Sequence, residues 1–126
     1  MDRLEQWREL LEQHLQYHAD LPYRYGKVET YVLVSRVKPS AFQKGVASPS
    51  GNRNHFMLVR EGWDGPRRIH GCIVHAEIRN GKIWMHYDGI EDSITEDLVA
   101  AGVPKDCIVL AFHPPEVREH TGYAIA

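Results

Sequence analysis

Apolar side chains recur at helical spacing at the start of the chain and give way to strand-like runs further on. Leu4, Trp7, Leu11, His14, Leu15 and His18 fall on one stripe, with Leu10 at its margin and Glu5, Arg8, Glu12 and Gln16 opposite. This predicts an amphipathic helix over 2–19, capped by Asp2 and ended by Leu21-Pro22. Gly26 to Val37 is rich in β-branched and aromatic residues on both parities, the pattern of an interior strand. Residues 38–54 mix prolines, glycines, serines and asparagines and predict a long loop. Two hairpins follow: His55–Trp63, a turn at Asp64-Gly65, Pro66–Arg79, a turn at Asn80-Gly81, and Lys82–Asp88. Ser93 and Glu96 form a capping-box pattern before a helix over Ile94–Ala101, closed by Gly102. Cys107–Phe112 is a further strand. The order predicts one α+β domain over 1–126. It has two layers: an antiparallel sheet of four to five strands, with the N-terminal helix and short C-terminal helices on one face.

Two-residue turns set cross-strand register, so faces can be assigned by counting. Around Asn80-Gly81, Ile78 meets Ile83, Ala76 meets Met85, His75 meets His86 and Val74 meets Tyr87. Around Asp64-Gly65, Met57 meets Cys72, Val59 meets His70 and His55 meets Val74. The core face then carries Val74, Ala76, Ile78, Ile83, Met85 and Tyr87, joined by His55, Met57, Val59, His70 and Cys72. The other face carries Phe56, Leu58, Ile73, His75, Trp84 and His86, rimmed by Arg60, Glu77, Asp88, Arg79 and Lys82. A solvated face is mostly polar. An apolar, aromatic face of this kind predicts an interaction surface, with Trp84 as its anchor and self-association about a two-fold axis as the simplest case.

Composition narrows the function classes. The chain has 126 residues and a formal charge of −2, with 15 Lys and Arg against 17 Asp and Glu, which excludes a broad positive field for nucleic acid. DNA binding by the chain alone is expected to be weak or indirect. Cys72 and Cys107 are too few for a disulfide scaffold and read as reduced thiols, placing the chain in the cytoplasm. No apolar run reaches the length of a membrane span, and the first residues lack a signal-peptide pattern.

Eight histidines invite a test for metal. His75 and His86 with Asp88 form a two-His, one-carboxylate set, the only arrangement that suggests a metal-dependent hydrolase. No HExxH or paired-Cys motif accompanies it, and His14 and His18 at i, i+4 lack the intervening catalytic Glu. No nucleophile elbow or phosphate-binding glycine loop occurs. Arg67 and Arg68 point to opposite faces of a strand and cannot clamp one phosphate together. No catalytic set, metal or other cofactor is expected.

Gly62-Trp63-Asp64-Gly65, Arg67-Arg68-Ile69-His70-Gly71-Cys72, Asp88-Gly89, Gly102-Val103-Pro104-Lys105, Phe112-His113-Pro114-Pro115 and the terminal Thr121-Gly122-Tyr123-Ala124 occur in that order. Together they resemble the XisI family, the fdxN element excision controlling factors of cyanobacteria, over nearly the whole chain. The 38–54 stretch departs from the family by looking longer. The resemblance implies a controlling role in programmed excision of a DNA element, with a nuclease-like XisH-type companion as partner. It supplies no catalytic residues. Trp63, Asp64, Arg67, Arg68, His70 and His113 are motif positions without an assigned role. The leading expectation is a non-enzymatic factor acting through protein–protein contacts, alone as a homodimer or with the companion. The alternatives are a direct DNA-binding factor, an antitoxin-like inhibitor of the companion, and the hydrolase.

Overall fold

A computed structural model of the chain describes residues 2–22, 26–35, 54–91 and 93–126. The loop expected over 38–54 lies, except for Asn54, outside the described residues. Helix α1 spans Arg3–Asp20, and the Asp2 carboxylate accepts a hydrogen bond from the Leu4 amide at 3.0 Å. Strands β1 (Lys27–Val34), β2 (His55–Asp64), β3 (Arg67–Arg79) and β4 (Lys82–Asp88) form an antiparallel meander. Helix α2 (Ile94–Ala100) and a 3-10 turn at Lys105–Cys107 lead to β5 (Ile108–Leu110), which lies parallel to β4. A one-turn helix, α3 (Pro115–Arg118), precedes the C-terminal residues. The parallel step follows from the connection, since a crossover through a helix returns the chain in the same direction.

The sheet order is β1-β2-β3-β4-β5. Strand β1 is thus an edge of the described sheet, not the interior strand its composition suggests. Its two parities are apolar for different reasons. Val32 and Val34 pack on the core, whereas Tyr31 and Leu33 project from the opposite face. The core lies between the sheet and α1 with α2. Leu11, Leu15, Phe56, Leu58, Val74, Ala76, Ile83, Met85, Ile94 and Leu98 are all fully buried there. Full burial of such a side chain contributes roughly 1.5–3 kcal/mol, so this layer dominates stability.

Two single-residue irregularities decide which side chains share a face. In the β2–β3 ladder Val59 pairs with Cys72 but Leu58 pairs with Val74, leaving Ile73 as the extra residue. In the β3–β4 ladder Ala76 pairs with Met85 but His75 pairs with Tyr87, leaving His86 as the extra residue. A bulge of one residue exchanges the two faces beyond it. Phe56 and Leu58 therefore join Val74 and Ala76 in the core, correcting their expected place on the interaction surface. Met57, His55, Cys72 and His70 move to the outer face, and so does Tyr87, which is 52% exposed. Asp88 makes the opposite move, towards the helices.

The turns behave differently from one another. Asn80 and Gly81 both have positive φ (53° and 74°), the type I′ pattern expected there. The other hairpin turns one residue later, with Asp64 paired to Arg67 and Gly65-Pro66 at the tip. Gly65 has φ 59°, and proline supplies the negative φ that a II′-like turn needs next. This slip moves the register by two and leaves face membership unchanged. The bulge at Ile73 is what reverses it.

Candidate functional site

The outer face carries a connected group of side chains centred on β3. His55 on β2, His75 on β3 and the extra residue His86 on β4 stand in line across three strands. The His55 Nδ1 and His75 Nε2 atoms are 3.0 Å apart, and the His75 and His86 ring centroids 4.8 Å. Glu77 closes the group. Its Oε1 lies 2.7 Å from His86 Nε2, its Oε2 3.5 Å from His55 Nε2, and Arg79 Nη1 stands 3.8 Å from Oε1. Burial, then the neighbouring His86 and His55, hold the His75 imidazole below its ordinary range against the opposing pull of Glu77.

This network lacks one residue of the expected metal set. The His75–His86 adjacency holds, but Asp88 is turned to the helix layer. There its carboxylate accepts hydrogen bonds from Ser93 Oγ (3.0 Å), the Ile94 amide (3.2 Å), the Thr95 amide (3.1 Å) and Thr95 Oγ1 (2.8 Å). It fixes the start of α2, so the hydrolase trio His75, His86 and Asp88 does not converge. Among the described residues no group of three or more His, Cys, Asp or Glu side chains could hold a metal ion. Counting from the turn missed His55, because only the Ile73 bulge places it on this face.

Trp84, the expected anchor, is on the outer side but 8% exposed. Its indole Nε1 donates to the Arg79 carbonyl at 3.1 Å, and the guanidinium groups of Arg79 (3.8 Å) and Arg118 (5.7 Å) lie over its ring. Arg118 in turn donates to the His113 and Ile125 carbonyls, and Ala124 bridges to Val109 beside Trp84. The chain's own C-terminal segment thus covers the indole. Ile73, half-buried, packs against the core cluster. The open apolar part of the outer face lies towards β1, where Leu33 is 48% and Tyr31 37% exposed beside Met57 and Val59.

The motif residues sort into structural parts. Gly62 lies so close to β1 that an added Cβ would sit 2.1 Å from the Lys27 carbonyl oxygen. Trp63 is exposed beneath the Arg68 guanidinium, which also pairs with Glu61 at 3.0 Å. Arg67 pairs with Asp64 at 3.5 Å. His70, expected in the core, is exposed on the outer face opposite Glu61. His113 gives its carbonyl to Arg118, and its ring contacts Phe112. Burial raises the pKa of both thiols, and Cys72 Sγ donates to the Val74 carbonyl, so neither cysteine is an activated nucleophile.

The family model described as XisI protein matches residues 1–125. The chain belongs to the XisI family. It is similar in structure to a XisI-like protein from Anabaena variabilis, with TM-score 0.77 and 29% identity over 98% of this chain and 100% of the other. It is also similar to the fdxN element excision controlling factor XisI from Anabaena variabilis, with TM-score 0.72 and 27% identity over 99% and 100%. No curated protein matches. XisI membership agrees with the α+β architecture, and no helix among the described residues is long and apolar enough to cross a membrane.

Proposed function

We propose that this protein is a non-enzymatic controlling factor in programmed excision of a DNA element. It works by contact with a nuclease-like companion of the XisH type and with the recombination machinery. The end-to-end likeness to a fdxN element excision controlling factor carries this reading. The site chemistry supports it. On the outer face His55, His75, His86 and Glu77 are bonded to one another, and no thiol is activated. Among the described residues, four basic side chains of the two hairpins are engaged. Arg67 and Arg68 each hold an acid of their own hairpin, Arg79 stacks on Trp84, and Lys82 bonds the terminal Ala126. Counterion release, the main source of duplex affinity, has little to draw on. Co-expression with the companion, affinity capture, and an excision assay with and without this chain test the proposal. Capture with a change in excision is expected. No capture together with unchanged excision overturns it.

A further inference from the structure

At the end of the core layer we infer a binding pocket for a free α-amino acid with an apolar side chain. The ligand carboxylate meets Arg60, its ammonium group meets Glu91 and the last turn of α1, and its side chain lies against Leu21, Pro22 and Ile90. The inference goes beyond the controlling role and does not depend on it.

A cavity of about 400 Å³ lies between the last turn of α1, Thr30 on β1, Arg60 on β2 and the Gly89–Glu91 connection that follows β4. Alternation along β2 from the buried Phe56 and Leu58 puts Arg60 on the inner face, not on the outer rim where the turn count has it. Its direct partners across the ladders are Thr30 and Gly71. An added Cβ at Gly71 would meet nothing within 4 Å, so the sheet beside Arg60 is an open floor. The volume falls near the lower end of the roughly 300–1,000 Å³ of small-molecule sites, which suits a solute of amino-acid size and not a dinucleotide.

The charges around the cavity select the ligand. Arg60 is half-buried, and its fork of five donors can take a carboxylate in addition to the interactions the residue already has. The opposite sign comes from the exposed Glu91 and from the end of α1, where the helix dipole is negative. A simple anion is opposed by those two, and a simple cation by Arg60. A zwitterion satisfies both. The Thr30 hydroxyl can donate or accept, and His18 Nε2 is buried without a hydrogen bond among the described residues, 3.6 Å from Asp97 Oδ2. Leu21, Pro22 and Ile90 give the cavity an apolar wall, which favours an aliphatic side chain over a polar one.

Titration calorimetry of the whole chain with L-leucine tests this, beside isocaproate, which lacks the ammonium group, and isoamylamine, which lacks the carboxylate. Leucine should bind with a Kd of about 1 mM or below, and each analogue about tenfold or more weakly. Arg60→Gln should erase the preference for leucine over isoamylamine. Glu91→Gln, at an exposed position, should erase the preference over isocaproate. Gly71→Val, where a side chain has room, should keep the fold by circular dichroism and weaken leucine about tenfold or more. Glu116→Gln on α3 should leave binding unchanged. No leucine binding at about 10 mM overturns the inference. Equal affinity for isocaproate overturns it in favour of an anion site, and equal affinity for isoamylamine in favour of a cation site. Leucine binding undiminished by Gly71→Val overturns it too, because the ligand then sits elsewhere. The Glu91 and Gly71 variants decide the matter even where Arg60→Gln fails to fold.

Discussion

Replacing Asp88 by alanine should destabilise the fold without touching the hydrophobic core. The carboxylate accepts two backbone amides at the start of α2 and two hydroxyl groups, one of them from Thr95, which is 4% exposed. A hydrogen bond to a charged group contributes about 1.5–3 kcal/mol, and a lost helix cap about 0.5–2 kcal/mol. These do not add in full, because water reaches a half-buried site and re-forms part of the set. A net loss of about 3 kcal/mol follows, equivalent to a fall in Tm of about 10 °C for a domain of this size. Asp88→Asn keeps one acceptor oxygen and should lose about half as much. Urea unfolding followed by tryptophan fluorescence and by circular dichroism measures both, with the denaturant slope unchanged if only stability has moved. An alanine variant within about 1 kcal/mol of the parent would refute the claim that this carboxylate holds α2 on the sheet.

Phe56→Ala should cost about 3–5 kcal/mol in the same assay, whereas Met57→Ala next to it on the outer face should cost well under half of that. Gly62→Ala drives a methyl group into the β1 backbone, so a loss above about 2 kcal/mol is expected, and a neutral result would show that β1 lies further from β2 than the structure has it. His75 binds its proton more weakly folded than unfolded, so its contribution lowers stability as pH falls through the ordinary imidazole range and levels off below its folded pKa. The difference in urea midpoint between about pH 7.5 and about pH 5.5 should therefore shrink in His75→Gln, and an unchanged difference would show that His75 is not the linked group.

Where local chemistry carried the signal, the elements were legible in the sequence. Asp2 caps α1, Asn80-Gly81 makes its turn, and Ser93 accepts from the Glu96 amide at 3.4 Å, as the capping pattern predicts. Alternation located the strands but not their faces, because alternation is a relative rule. It propagates from a turn only while the ladder is unbroken. Ile73 breaks it between β2 and β3, and every assignment on β2 relative to the core half of β3 then inverts. Ile73 itself does not announce this, being β-branched like Val74 beside it; Gly71, two residues earlier, is the one nearby mark of an irregular strand. The stabilising contact is distant, since the Ile73 carbonyl accepts from the Gly89 amide at 2.7 Å. A sequence window around either residue does not contain the other.

Composition of the site was half legible for the same reason. His75, His86 and Glu77 came from the Asn-Gly hairpin, whose register holds for its first four pairs. His55 came only with the bulge. His86 and Asp88 show the consequence most directly. They stand two residues apart in one strand, yet one bonds Glu77 on the outer face and the other caps α2 on the inner one. Even spacing in a regular strand forbids that. The extra residue in β4 permits it, and so a single irregularity both anchors the helix layer and completes the histidine row on the open face. A change that regularised β4 would place His86 or Asp88 wrongly, whichever register it chose, and would damage the helix start or the outer network with it.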